Sequence, residues 1–175
     1  MTHTPRLITR VALFSALIYI LSWATIYLPN VKVIFFIIFS AGFLWGGVAG
    51  CLVGTIGMGI WTFFNPLGPA GLPIAFAQIL GAGMCGPIGA LLKWLPWLRM
   101  NRIGFGALLG SAGAVCTLLY FIPVNLVDAW VYQPFWPRFI SAMPWTAISL
   151  VSNMIIFPLL FPATRFLYER ESKLL

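Results

Sequence analysis

Apolar residues fill this chain in long uninterrupted stretches, separated by short polar punctuation rather than by alternating polar faces. Residues 7–28 make the first stretch, with no charge after Arg10. At 1.5 Å per helical residue it covers roughly 33 Å, enough to cross the ~30 Å hydrocarbon core of a bilayer. Pro29, Asn30 and Lys32 then mark a short turn. Residues 33–64 carry no charge and are too long for one ordinary crossing. Glycine permits a tight reversal, so Gly46-Gly47 is the expected turn between two short helices over 33–46 and 48–64. A second loop reads Asn65-Pro-Leu-Gly68-Pro-Ala-Gly71. Helices over 72–92, 103–122 and 139–161 are expected next, with the longest loop running from Pro123 to Arg138. The pattern predicts a single domain over 1–175: an all-α integral membrane protein, a compact bundle of six transmembrane helices.

Charge sets the orientation. Arg6 and Arg10 precede the first stretch, Lys93, Arg99 and Arg102 separate the fourth from the fifth, and Arg165, Arg170 and Lys173 follow the last. Juxtamembrane Lys and Arg stay preferentially on the cytoplasmic side, so an even number of crossings lies between neighbouring clusters. Both termini are therefore expected in the cytoplasm. Composition agrees: 61% of the 175 residues are hydrophobic and only 7% are charged, against about 25% charged in soluble domains. The net charge of +7 flanks apolar spans and forms no basic face, which argues for topology rather than nucleic-acid binding. A cleavable signal peptide is not expected, because the first run is long and no small-residue cleavage site clearly follows it.

Small residues recur where helices must meet. Gly42, Gly46, Gly50 and Gly54 are spaced by four, Gly81, Gly86 and Gly89 lie in the fourth stretch, and Gly106, Gly110 and Gly113 lie in the fifth. Such faces let backbones approach where lipid gives no hydrophobic drive for association. Packing inside the bundle is the expected use, with homodimerisation as the alternative. Ala12 and Ala16, in Arg10-Val-Ala-Leu-Phe-Ser-Ala-Leu17, leave a shallow groove near the basic start of the first helix.

With its basic N-terminus running into Ala12-x-x-x-Ala16 and the glycine-rich hairpin Ala41-Gly-Phe-Leu-Trp-Gly-Gly-Val-Ala-Gly50, the chain resembles the substrate-binding (S) components of energy-coupling factor transporters. These are bacterial importers of vitamins and related micronutrients. The resemblance covers nearly the whole chain, including its size and six-span layout. It implies a place in the bacterial cytoplasmic (inner) membrane and a substrate held among the outer halves of the later helices. It also implies docking on a transmembrane coupling protein that carries two ATPases, with Ala12 and Ala16 at the docking face. The first outside loop, around Pro29 to Lys32, is short beside the substrate-covering loop of many members.

Candidate ligand groups gather at the expected outer ends. The segment from Asn125 to Arg138 holds Asp128, Trp130, Tyr132, Gln133 and Trp136. A pocket needs apolar or stacking walls and a few fixed polar groups. Trp130, Tyr132 and Trp136 supply the first, and Asn125, Asp128 and Gln133 the second. Interfacial belts also gather Trp and Tyr whatever the function. Asp128 and Arg138 either pair with each other or face a ligand, the acid toward a donor or cation and the arginine toward a carboxylate or phosphate. Within the spans, hydrocarbon penalises unpartnered polar groups. Gln78, Asn65 and Trp145 lie at the outer level and are further candidates, whereas Asn153 lies deep and is expected to bond between helices. The aromatic outer segment favours a flat heteroaromatic vitamin.

No phosphate-cradling Gly-x-x-x-x-Gly-Lys-Ser/Thr occurs, so any ATP hydrolysis is expected in other subunits. His3 stands alone in the N-terminal tail, and Cys51, Cys85 and Cys116 lie one to a span, so no catalytic group, metal site or cofactor is expected. Two other readings remain: a solitary secondary transporter or channel, and a structural membrane protein of envelope assembly.

Overall fold

The computed structural model describes residues 3–28 and 30–172, so Pro29 of the first turn and Lys173 of the last basic cluster lie outside the described residues. Among the described residues the fold is helical throughout, with no strand. In chain order the helices are α1 (His3–Ala24), α2 (Ile34–Trp45), α3 (Gly47–Phe64), α4 (Leu72–Gly83), α5 (Cys85–Trp94), α6 (Arg102–Val131) and α7 (Phe135–Ser172). Five stretches are long and apolar enough to cross a membrane: Pro5–Ala24, Gly47–Phe64, Leu72–Trp94, Arg102–Val131 and Phe135–Glu171. Their outward surfaces carry Leu13, Ile20, Phe76, Leu80, Ile155 and Leu159, each more than half exposed, as lipid contact requires.

Helix α2 is the exception, and its environment explains it. Twelve residues span only about 18 Å, too short for a lipid-facing crossing. Yet Ile34 through Leu44 are all buried, enclosed by α1, α3, α5, α6 and α7. A helix that is apolar on every side belongs inside a protein. Shielded by its neighbours, α2 need not match the hydrocarbon thickness. The stacked and edge-on rings of Phe36, Phe39, Phe43, Phe157 and Phe161 fill the space around it.

The α2–α3 reversal falls at Gly46, whose φ of 98° is disfavoured for residues with a side chain. The glycines beyond it bring backbones together. A Cβ on Gly50 would lie 2.6 Å from the Cα of Gly86, and one on Gly54 would lie 2.7 Å from the Ala82 carbonyl. The ladder thus seals α2, α3, α4 and α5 against each other. Gly110 and Gly113 do the same for α6 against the Met154 and Asn153 backbone of α7. On α1, Val11, Ser15, Ile18 and Ser22 turn inward at helical spacing and the opposite face is exposed.

Prolines produce the main departures from the sequence expectation. Pro87, the third residue of α5, has no N–H to give Gly83, and the fourth stretch breaks there into α4 and α5 at Met84. Pro123 was expected to end the fifth helix, yet α6 runs through it to Val131. Pro144 likewise lies inside α7, which begins at Phe135 rather than 139 and continues past 161. The expected loop over 123–138 shrinks to the link 132–134. In the first stretch the helix stops at Ala24, and hydrogen-bonded turns carry it to Leu28.

Candidate ligand cavity

Among the cavities of the described residues, two lie at opposite ends of the bundle. The larger, about 720 Å³, is at the basic end between Arg6, Arg10, Trp45, Lys93, Trp94 and Glu171. Most of its charges are engaged with the protein. Arg10 pairs with Glu171 at 3.0 Å, and Trp45 Nε1 donates to both Glu171 oxygens at 2.8 and 3.0 Å. Lys93 Nζ donates to the Leu44 carbonyl at 3.1 Å and caps α2. This end ties the termini of α1, α2, α5 and α7 together.

The second cavity, about 390 Å³, opens at the other end among three loop-proximal segments. From α1 and its turns come Ser22, Thr25, Ile26 and Leu28, from the α1–α2 loop Asn30 and Lys32, and from the start of α2 Ile34. The end of α3 and its loop add Trp61, Thr62, Asn65, Leu67, Gly68 and Ala70, and α4 adds Gln78. Its size lies at the lower end of the range that holds small ligands, and it mixes apolar walls with a few polar groups.

Local structure fixes each wall. Asn30 adopts φ of 55°, a left-handed conformation that asparagine tolerates better than most residues. Its carbonyl accepts a hydrogen bond from Ser149 Oγ of α7, which pins the α1–α2 loop to the bundle. Asn65 spends its amide on its own turn: Nδ2 donates to the carbonyls of Thr62 and Gly68, and Oδ1 accepts from Leu67 N–H. It shapes the rim. Thr62 Oγ1 donates to Gln78 Oε1 at 2.9 Å, which directs the Gln78 side chain from α4 toward α3. Lys32 is partly buried, and that burial lowers its ammonium pKa from the usual lysine value.

Of the candidates read from sequence, the structure brings Asn65 and Gln78 into this cavity and places the rest outside its lining. Asp128 pairs with Arg138, Nε to Oδ2 at 2.5 Å and Nη2 to Oδ1 at 3.3 Å, and the guanidinium stacks 4.7 Å from the Tyr132 ring centre. Gln133 closes the α6–α7 link, donating to the Trp130 carbonyl and accepting from Phe135 N–H. Asn125 Nδ2 donates to Thr146 Oγ1 at 2.9 Å between α6 and α7. Trp130, Trp136 and Trp145 are more than half exposed on the bundle surface, the setting of an interfacial belt. Asn153 bonds Thr117 Oγ1 at 3.1 Å across the α6–α7 contact, as its depth implied.

The residue that sequence reasoning passed over is Lys32, taken as part of a turn. Its signal was present: it is the single charge between Arg10 and Lys93. Ala12 and Ala16 both lie on the exposed face of α1. No known family model matches the chain, and no protein of curated function and no solved structure matches it.

Proposed function

We propose that this chain is the membrane-embedded substrate-capture subunit of an energy-coupling factor importer in a bacterial cytoplasmic membrane. In this reading six passes place both termini in the cytoplasm. The cavity between Lys32, Trp61 and Gln78 faces outside and holds a micronutrient. Ala12 and Ala16 contact a transmembrane coupling protein served by two ATPases.

The observation that carries the proposal is the separation of two features along one helix. The inward face of α1 reaches the cavity at Ser22, and at Thr25 of the turn after it, while its opposite face presents small Ala12 and Ala16 to the surroundings near the basic end. A subunit that captures at one membrane face and is moved by a partner needs a binding site and a separate docking stripe. Small residues on an exposed helix face suit close helix approach.

Capture is tested by purifying tagged protein from its source membrane, denaturing it and profiling the released small molecules by mass spectrometry. One compound recovered near equimolar with the chain, and depleted in Gln78→Ala, is the expected result. A folded protein that yields no such compound from producing cells in nutrient-rich medium would contradict it.

A further inference from the structure

We infer that the cavity takes a small molecule bearing a carboxylate or phosphate, which pairs with Lys32 while an apolar or aromatic body lies against Trp61. This rests on the capture reading above and narrows it to a ligand class.

The cavity wall carries an unpaired charge. Among the cavity's lining residues Lys32 is the single charged group. Among the described residues it has no ion pair, hydrogen bond or aromatic ring as partner. The three described acids lie elsewhere, Asp128 paired with Arg138, Glu169 with Arg165 and Glu171 with Arg10. Lys32 is partly withdrawn from water on the cavity wall, where an anion's oxygens would pair with its ammonium. Lysines near a membrane surface usually extend the head into water or lipid headgroups. Lys32 sits on a loop pinned by the Ser149–Asn30 hydrogen bond, and its side chain lines the cavity.

None of the neighbouring acceptors takes a hydrogen bond from Lys32: the Thr25 and Ser22 hydroxyls donate to α1 carbonyls, Asn65 Oδ1 takes Leu67 N–H, and Gln78 Oε1 takes the Thr62 hydroxyl. That last bond leaves the Gln78 Nε2 hydrogens as donors. A site offering an ammonium and an amide N–H complements an anion's oxygens. Trp61, partly buried in the same wall, supplies a flat face.

The test uses matched probes on detergent-purified, ligand-stripped protein. Thermal midpoints are measured with sodium benzoate, phenyl phosphate and the neutral isostere benzamide at equal millimolar concentration, with sodium chloride as ionic control. Benzoate or phenyl phosphate should raise the midpoint of the parent protein, and benzamide should not. Lys32→Met should abolish that response and raise the ligand-free midpoint, because the uncompensated charge is gone. If Lys32→Met does not fold, Lys32→Gln serves, with at least about a 10-fold loss of benzoate affinity expected. Equal responses to benzoate and benzamide, a benzoate response that survives the substitution, or no response to either anion would overturn the inference. A further arm exchanges phosphatidylcholine for phosphatidylglycerol in mixed micelles. Stabilisation through Lys32 by the anionic lipid alone would assign the site to a headgroup and likewise overturn a soluble ligand. If benzamide stabilises as well as benzoate and a compound still co-purifies, capture stands and the anion assignment falls. If neither probe acts and nothing co-purifies, both fall.

Discussion

Thr62 on α3 donates a hydrogen bond of 2.9 Å to Gln78 on α4, and this single contact aims the amide that lines the smaller of the two end cavities. Gln78→Ala removes the cavity donor and should weaken capture about 10-fold or more, the worth of a hydrogen bond to a charged group. Thr62→Val keeps the shape and releases the amide, so a smaller loss is expected. Binding of the co-purified compound to both variants checks the order. Equal affinity in parent and Gln78→Ala would remove Gln78 from the site.

Asp128, a ligand candidate in the sequence, has a structural partner in Arg138 outside the cavity lining. Asp128→Ala should therefore leave capture unchanged while freeing the α6–α7 link. Comparing its affinity with that of Gln78→Ala separates the cavity from the α6–α7 link.

Lys32 gives the empty protein a dependence on pH. Its folded-state pKa is lowered by burial from the unfolded value of 10.5, so between the two values the unfolded chain binds more protons. Stability of ligand-free protein should rise as pH climbs through the window just below 10.5, and be lowest where Lys32 is charged in both states. Thermal midpoints over mildly alkaline buffers measure this. The rise should be reduced in Lys32→Met.

The glycine seam makes a contrasting pair. A methyl on Gly50 meets the Gly86 backbone at 2.6 Å, whereas one on Gly106 meets nothing within 4 Å. Gly50→Ala should cost about 1–3 kcal/mol or more by overpacking. Gly106→Ala, in a helix interior, should gain about 0.5–1 kcal/mol. Unfolding of both variants in mild detergent decides it.

Much of this was legible in the chain, for identifiable reasons. Residues 33–64 are too long and too apolar for one helix, and only glycine at 46 could reverse them so sharply, so the hairpin was readable. Basic clusters were readable because charge is scarce. Pro123 misled: proline usually ends a helix, but α6 is packed against α4 and α7 and continues through it. That error turned helical residues 125–131 into a loop and drew the candidate site with them. The cavity itself joins Thr25, Lys32, Thr62 and Gln78 from three separate segments, a juxtaposition that no local pattern encodes. Gln78 was found because a polar side chain within a span needs a reason. Lys32 was missed because a charge beside Pro and Asn looks like an ordinary turn.

Partner docking is the claim most directly open to test. Ala12→Trp/Ala16→Trp fills the exposed small-residue face of α1, while Ile155→Trp places the same bulk on the exposed side of α7. Tagged parent and both variants are purified from the source membrane in mild detergent, and accompanying proteins are quantified by mass spectrometry. A membrane coupling protein and two ATPases should accompany the parent and Ile155→Trp, and be lost from Ala12→Trp/Ala16→Trp while its own fold and ligand capture persist. Absence of ATPases from the parent, or their equal retention in the α1 variant, would contradict it.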